Sequence, residues 1–381
     1  MKRQITNARE DYKEKIEELG FTFSDEYWNE KAYYEITSEE VDLIEKASKE
    51  CYDMACATMD KMVKEYKHGN KNVFGLFGFP DDVIEAIVNS WENDDLSLYG
   101  RFDFCMKYGK IKLYEFNADT PTSLLESSLI QWYWKEEKFP DNDQYNSIHE
   151  NLVQSWRDIA DFYRIKSVGV ASVQNSDEDL STSGYIAGCA VQAGLDVHQF
   201  DIADLRFDEF GNAYNPDDTK IESLFKLYPS EWLIQENSQM FNKLCLQRMI
   251  EPAWKVIMSS KLFMCYMSKY NNSEYLLDAF ASSRKYIEGM NNVCTKPYFG
   301  REGANIRLYG NNNNIIQETN GDYGEQLCII QELFTLPDFD GHYPVIGSWI
   351  IGGVPSGIGI RESKTLVTDN MSMFVPHIIK D

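Results

Sequence analysis

The stretch that decides the fold is RFDFCMKYGKIKLYEFN, residues 101–117. Polar and apolar residues alternate on both sides of a glycine, and this pattern predicts two strands at 98–107 and 111–117. A short turn at residues 108–110 would join them. Each strand would then present one apolar face and one polar face, so the stretch predicts a β-hairpin that is buried on one side.

The polar face of this hairpin carries groups that suit a magnesium ion. Arg101 and Asp103 share a face of the first strand, and Glu115 and Asn117 share a face of the second. Two carboxylates and an amide oxygen are hard ligands of the kind that Mg²⁺ prefers, and a neighbouring arginine could bind phosphate with two hydrogen bonds. An ordinary half-exposed hairpin shows the same alternation. The hairpin by itself therefore leaves both interpretations open.

A helix is expected directly after the hairpin, from about Pro121 to Trp134. Proline is favoured in the first turn of a helix, and Thr120 or Thr122 could cap its N-terminus. The backbone amides at this helix entrance, in the sequence NADTPTS, could hold an anion.

The rest of the chain predicts a mixture of helices and strands. A strand, a helix and a second strand follow one another in the middle of the chain, a rhythm typical of an α/β module. The last ninety residues read as strands interrupted by glycine. The predicted elements are helices at 8–20, 38–66, 81–93 and within 175–195, strands at 165–174 and from 196, and a helix-rich region at 234–290.

A glycine-rich loop at residues 295–305 could bind phosphate. Gly300 and Gly303 would allow close approach of the backbone, while Lys296 and Arg301 could supply positive charge. The loop lacks the Walker A pattern, and a plain turn between strands is the alternative interpretation.

A second glycine-rich stretch, GGVPSGIGIRES, places Arg361 where it could face a cleft. A surface ion pair with Glu362 or Glu302 is the alternative role for this arginine.

Composition narrows the class of protein. The formal net charge is -24, from 61 acidic and 37 basic residues; such a surface repels nucleic acid and anionic lipid and could attract a cationic partner such as a polyamine. The chain contains no long apolar run and its N-terminus does not resemble a signal peptide, so we expect a cytoplasmic protein. The 8 cysteines form no C-x-x-C pair and are expected to be buried thiols in a reducing compartment.

Seven motifs follow one another along the chain: RFDF, EFNADTPTSLLE, FKLYPSEW, EPAWKVIMSSK, TKPYFGREGANI, QELF and GIGIRES. Taken together and in this order, they resemble the synthetase domain of the glutathionylspermidine synthase family. The resemblance extends from about Phe74 to the C-terminus and implies the α+β fold class, as an ATP-grasp fold preceded by an α/β (pre-ATP-grasp) region that binds substrate. The expected division is an N-terminal helical region at 1–95, the metal hairpin and pre-ATP-grasp region at 96–225, and the ATP-grasp region at 226–381.

The resemblance also implies the cofactors ATP and Mg²⁺ and a set of site residues. Asp103, Glu115 and Asn117 match the metal ligands, Arg101 matches an arginine that contacts the transferred phosphate, and Arg361 matches one that stabilises the acyl-phosphate step. The other residues that it implies are Lys261 and Lys296 on the ATP phosphates, Glu302 and Gly303 in the loop that covers them, Gln331, Glu332, Leu333 and Phe334 in the hinge that reads adenine, and Thr120 and Glu178 beside the acid substrate.

The implied reaction is phosphorylation of a carboxylate by ATP, followed by attack of an amine to give an amide. Glutathione or another peptide is the expected acid, and a polyamine is the expected amine. Only 73 residues precede Phe74, so we expect no amidase domain of the kind that bifunctional members carry. The serine-rich stretch NSDEDLSTSG departs from the family pattern and leaves the acid undecided. A catalytically inactive nucleotide-binding scaffold and a ligase that modifies a protein or peptide terminus are the alternatives; the oligomeric state is not predicted.

Overall fold

The computed structural model describes residues 1–22, 27–282, 291–324 and 327–381. The predicted helix-rich region at 234–290 therefore lies partly outside the described residues.

The helices contribute apolar residues to the core, and the longer ones do so mainly from one face. The helix α2, Ser38–Lys67, begins with a capping box. The Thr37 side chain accepts a hydrogen bond from the Glu40 amide, and the Glu40 side chain accepts one from the Thr37 amide. A π-helical turn, Glu126–Ile130, directly precedes α5. The helices are α1 Tyr12–Glu18, α2 Ser38–Lys67, α3 Asn72–Gly75, α4 Asp81–Glu92, α5 Gln131–Lys138, α6 Ile148–Tyr163, α7 Asp177–Gln192, α8 Ser230–Cys245, α9 Lys255–Ser259 and α10 Lys261–Tyr270.

The strands form several separate sheets, and helices pack between and around them, as expected for the α+β class. They are β1 Lys2–Ile5, β2 Ala32–Ile36, β3 Tyr99–Lys107, β4 Lys110–Asn117, β5 Ser167–Ser172, β6 Asp196–Asp201, β7 Arg206–Phe207, β8 Ala213–Tyr214, β9 Ser223–Leu227, β10 Arg248–Ile250, β11 Ala279–Ser282, β12 Val293–Pro297, β13 Arg307–Tyr309, β14 Ile315–Glu318, β15 Cys328–Glu332, β16 Tyr343–Ile351, β17 Val354–Ser363, β18 Met373–Val375 and β19 His377–Ile379.

The predicted hairpin is present as β3 and β4, at one edge of an antiparallel sheet with the order β18-β17-β16-β3-β4. Tyr108 and Gly109 form its two-residue turn, with φ angles of 53° and 71°, as a type I′ turn requires. Phe102 and Phe104 are fully buried on the apolar face, and the Phe102 ring stacks on Phe116 with centroids 4.2 Å apart. Burial of this face directs the polar face of the hairpin toward the site.

A parallel sheet with the order β10-β9-β5-β6 lies in the middle of the chain. Its β5-α7-β6 portion is the predicted α/β module. The boundary expected between residues 225 and 226 falls inside β9, so this sheet continues across it. A further antiparallel sheet, ordered β11-β15-β12-β13-β14, carries the glycine-rich loop between β12 and β13.

Two expectations about local structure are wrong. The N-terminal region is not only helical, because β1 and β2 join β19 in a three-stranded sheet. The helix expected from Pro121 begins only at Leu124. Ser123 has a φ of 69°, which is left-handed backbone and cannot continue a helix toward its N-terminus.

Among the described residues, no helix is both long and apolar enough to cross a bilayer.

Candidate functional site

Two adjoining cavities lie between the hairpin and the glycine-rich loop. We call the first, of about 800 Å³ and mostly apolar, the inner cavity, and the second, of about 1310 Å³ and mostly polar, the outer cleft. They share the wall formed by Asp103, Glu115, Lys261, Gly300 and Gly303. Each of the fifteen site residues expected from the sequence lines one cavity or both.

The hairpin register brings the four polar side chains of its strands together. Arg101 lies opposite Asn117, and Asp103 lies opposite Glu115. Arg101 donates from Nε to Asp103 Oδ1 at 2.7 Å and from Nη2 to Oδ2 at 3.1 Å. Asn117 Nδ2 donates to Asp103 Oδ2 at 3.0 Å. The carboxylates are thus held in place by a cation and an amide on the same face of the sheet.

Two lysines face these carboxylates. Lys261 Nζ lies 3.0 Å from Glu115 Oε2 and donates to the Gly300 carbonyl at 2.6 Å. Lys296 Nζ donates to the Tyr114 carbonyl at 3.2 Å. Burial by itself would raise the pKa of Glu115, but Lys261 and Lys296 outweigh it and lower the pKa to about 2. Glu115 is therefore ionised at neutral pH, and the wall between the cavities combines fixed anions with fixed cations.

Apolar side chains enclose the inner cavity, and the predicted hinge forms one of its edges. Gln331 and Glu332 end β15, and the chain continues as coil through Leu333 and Phe334. The Leu333 amide donates to the Asn292 carbonyl at 2.8 Å, and the Tyr114 hydroxyl donates to the Phe334 carbonyl. These two bonds fix the C-terminal half of the hinge. The apolar lining includes Ile306, Leu308, Leu336, Val345, Leu366 and Val367.

The glycine-rich loop covers the junction of the two cavities. Gly303 has a φ of 68°, and a Cβ atom placed there would lie 2.3 Å from the Thr368 carbonyl oxygen. Only glycine fits this contact without displacing the backbone. Beside it, Asn370 donates to the Glu302 carboxylate. The loop is therefore packed against the segment that follows β17.

Arg361 faces the outer cleft and does not form the surface ion pair considered as its alternative role. Its Nη2 donates to the Asp369 carbonyl at 2.6 Å. Arg3 pairs with Glu362 at 2.7 Å, and Asn370 bonds with Glu302, so both candidate partners are engaged by other residues.

Arg301 joins the glycine-rich loop to the opposite wall of the outer cleft. Its Nε donates to Glu231 Oε1 at 2.9 Å, and its Nη2 donates to Thr120 Oγ1 at 3.0 Å. Glu231 belongs to the YPSEW motif, which was the only signal in the sequence that pointed to it. Glu178, near the start of α7, lines the same cleft. This wall therefore carries carboxylates that a cationic group could approach.

A buried ion pair supports the wall from behind. Lys226 Nζ lies 3.2 Å from Asp119 Oδ1, and both side chains are fully buried. Asp119 Oδ2 also accepts from the Ser230 amide at 2.8 Å, and its own amide donates to Ser259 Oγ at 2.7 Å. Asp119 thus connects the segment after the hairpin with β9, α8 and α9. Sequence reasoning missed this connection because these elements are far apart in the chain.

Glu126 is a buried acid near the arginines, and it was also missed. Burial raises the pKa of Glu126 to about 8, with a smaller contribution from Glu178, while Arg361 and Arg101 lower it. Its Oε1 accepts no hydrogen bond from any part of the chain that the structure describes. Glu126 is thus mainly protonated at neutral pH.

The α+β architecture and the family model that the sequence matches define a protein of the ATP-grasp class. The chain belongs to the glutathionylspermidine synthase pre-ATP-grasp family, whose model matches residues 3–380. The match begins well before Phe74, so the expected start of the resemblance is wrong. The physical reason is that β1 and β2 pair with β19 and are integral to the fold.

Several relatives are ligases. The "Putative acid–amine ligase" of Haemophilus influenzae is 36% identical, over 92% of this chain and 90% of that protein. The trypanothione synthetase of Crithidia fasciculata is 26% identical, over 80% of this chain and 51% of its own length. The bifunctional glutathionylspermidine synthetase/amidase of Escherichia coli is 26% identical, over 91% of this chain and 59% of its own length. The chain is therefore a member of a family of carbon–nitrogen ligases.

Proposed function

We propose that the protein is an ATP- and Mg²⁺-dependent ligase that joins a carboxylate to an amine through an acyl phosphate. One observation carries the proposal: the hairpin carboxylates, two lysines and two arginines meet where an apolar cavity opens into a polar cleft. Phosphoryl transfer depends mainly on such positioning and on charge stabilisation.

The residues on the hairpin fit a magnesium ion. Asp103, Glu115 and Asn117 offer hard oxygen atoms on one face, and a site of this kind commonly leaves other positions to phosphate and water. When bound, the ion would neutralise charge on the phosphates.

The two cavities would bind different parts of the reactants. The apolar inner cavity would hold adenine against Gln331–Phe334, with Lys261 and Lys296 directed at the phosphates. In the outer cleft, Arg101 and Arg361 would bind the transferred phosphoryl group and the acid. The loop that contains Glu302 and Gly303 would exclude water from the acyl phosphate.

The substrates are proposed from the relatives and from the charges of the cleft. Thr120 and Glu178 line the side of the cleft where the acid would lie, and we propose a peptide such as glutathione. A polyamine is the proposed amine, because carboxylates line the cleft and the net charge is -24. We also propose a reducing, cytoplasmic location: none of the 8 cysteines, all within the described ranges, forms a disulfide.

The test incubates the purified protein with Mg²⁺, ATP and a panel of peptides paired with polyamines. Phosphate release and the mass of a condensation product are measured. Asp103→Asn should lower turnover at least about a hundredfold, since it removes a charged group that would stabilise the transition state. Asp60→Asn, a change at an exposed carboxylate on α2, should have no effect.

The proposal fails if the wild-type protein releases no phosphate with any pair. It also fails if Asp103→Asn leaves both turnover and the Mg²⁺ dependence of ADP affinity unchanged.

A further inference from the structure

Tyr27 lies in the N-terminal segment, far in sequence from the glycine-rich motifs, yet it lines the outer cleft. The Arg361 guanidinium lies 5.3 Å from the centroid of its ring. Arginine is attracted to the face of an aromatic ring, and the attraction grows where water is excluded. The ring of Tyr27 therefore lies where it can fix the orientation of the Arg361 guanidinium.

The hydroxyl of Tyr27 has a second contact at the same end of the cleft. It forms a short hydrogen bond with Ser123 Oγ. Ser123 is a non-glycine residue with a φ of 69°, a backbone conformation that needs support from its surroundings. The preceding residue, Thr122, accepts through its carbonyl from Arg101 Nη1 at 2.5 Å. One tyrosine thus supports both the strained turn after the hairpin and the arginine opposite.

Tyr27 is itself fixed to the strand next to Arg361. Phe374 is the register partner of Arg361 across β17 and β18, and its amide donates to the Tyr27 carbonyl at 2.7 Å. The adjacent Trp28 stacks on the Phe374 ring, with centroids 5.6 Å apart and planes inclined by 15°. Between these groups lies a small recess of about 300 Å³ whose charged and hydroxyl-bearing lining residues are Arg101, Asp103, Ser123, Ser127, Arg361 and Thr368. Arg101 is paired with Asp103 at 2.7 Å, so the two arginines leave an excess of positive charge over this one carboxylate, which suits an anion.

We propose that Tyr27 is a positioning residue that shapes this anion-binding end of the cleft, where the carboxylate of the acid meets the transferred phosphoryl group. The assignment rests on the proposed ligase function. Tyr27 acts through Arg361 and Ser123. Its ring orients the guanidinium, and its hydroxyl holds the turn that forms the other side of the recess.

The test uses inorganic phosphate as the probe, because phosphate is a product of the proposed reaction and needs no identified acid. Calorimetry measures phosphate affinity in the full-length protein saturated with Mg²⁺ and ADP. Tyr27→Leu should weaken phosphate binding about tenfold, the effect expected from losing a desolvated cation–π contact. Tyr27→Phe, which keeps the ring, should weaken it only about threefold, as for one neutral hydrogen bond. ADP affinity without phosphate should change less than about twofold, since the hinge and lysines are untouched.

Tyr12→Phe is the matched control, because Tyr12 belongs to the same N-terminal segment and packs against the core outside the two cavities. It should leave phosphate affinity unchanged. The inference is overturned if Tyr27→Leu binds phosphate as wild type does, if it loses ADP and phosphate affinity equally, or if the wild-type protein binds no phosphate beside ADP. Failure of the ligase proposal would look different. In that case no acid–amine pair would lead to phosphate release, although phosphate binding would still depend on Tyr27.

Discussion

Glu115 and Glu126 have different charge states at neutral pH because their surroundings differ. Glu115 faces Lys261 and Lys296, so its pKa falls to about 2 despite burial. Burial has the largest effect on Glu126 and raises its pKa to about 8, although Arg361 and Arg101 oppose it. Alternation along the strands was enough to place Glu115 on the polar face of the hairpin. Nothing in the local sequence could indicate that Glu126 is buried, because burial depends on β17 and the N-terminal segment packing around it.

A prediction follows for Glu126→Gln. In the folded protein Glu126 keeps its proton up to about pH 8, whereas an unfolded glutamate loses it near pH 4.3. The folded state therefore binds more protons between these values, and the wild-type free energy of unfolding should fall there by up to about 1.4 kcal/mol per pH unit from this group. Glutamine removes the dependence, so the variant should gain stability relative to wild type as pH rises from 5 to 8. Chemical denaturation at several pH values would show this, and parallel curves for the two proteins would contradict it.

At the scale of elements, the structure shows more about the contacts of the glycine-rich loop than the sequence could predict. Two glycines in a loop between strands suggested close backbone approach, but to an unspecified partner. The structure shows that Gly303 contacts the Thr368 carbonyl, in the segment after β17. That contact joins two parts of the chain that are distant in sequence, and no local pattern specifies it.

Gly303→Ala should displace the loop, because alanine disfavours a φ of 68° and its Cβ would lie 2.3 Å from the Thr368 oxygen. We expect ADP affinity and turnover to fall at least about tenfold, with a loss of about 1–2 kcal/mol in the free energy of unfolding. Gly75→Ala is the matched control, since its Cβ would meet nothing within 4 Å. Wild-type turnover in Gly303→Ala would refute the role of the loop.

At the scale of the whole molecule, the two ends of the chain are joined. β1, β2 and β19 form one sheet, and Arg3 binds the Glu362 carboxylate through Nε and Nη2, each at 2.7 Å. Tyr34 donates to the same carboxylate at 2.8 Å. Glu362 directly follows Arg361, so the N-terminal segment stabilises the strand that carries a site residue. The expectation of a helical N-terminal region at 1–95 missed this.

Glu362→Gln should lower the free energy of unfolding by about 3 kcal/mol at pH 7, because Arg3 loses the charge of its buried partner. Burial raises the pKa of Glu362, but Arg3 and Tyr34 outweigh it and the pKa is lowered. The wild-type advantage is therefore present above the ordinary glutamate range and is lost as pH falls through the lowered pKa. Glu318→Gln breaks a pair in which Arg307 and Glu318 are 32% and 39% exposed, and it should change stability by less than about 1 kcal/mol. Equal effects of the two changes, measured by urea denaturation, would contradict the prediction.

The sequence by itself determined the features that depend on residues close together in the chain. These features are the hairpin and the face that carries Asp103 and Glu115, the helix α2, the α/β module and the family motifs. Strand alternation and helical periodicity are local, so they can be predicted from one sequence. Only the tertiary structure decided that Tyr27, Glu126 and Glu231 line or support the cleft, and that Ser123 delays the next helix. Those outcomes depend on contacts between elements far apart in sequence, whose pairing and burial are set by packing of the whole chain.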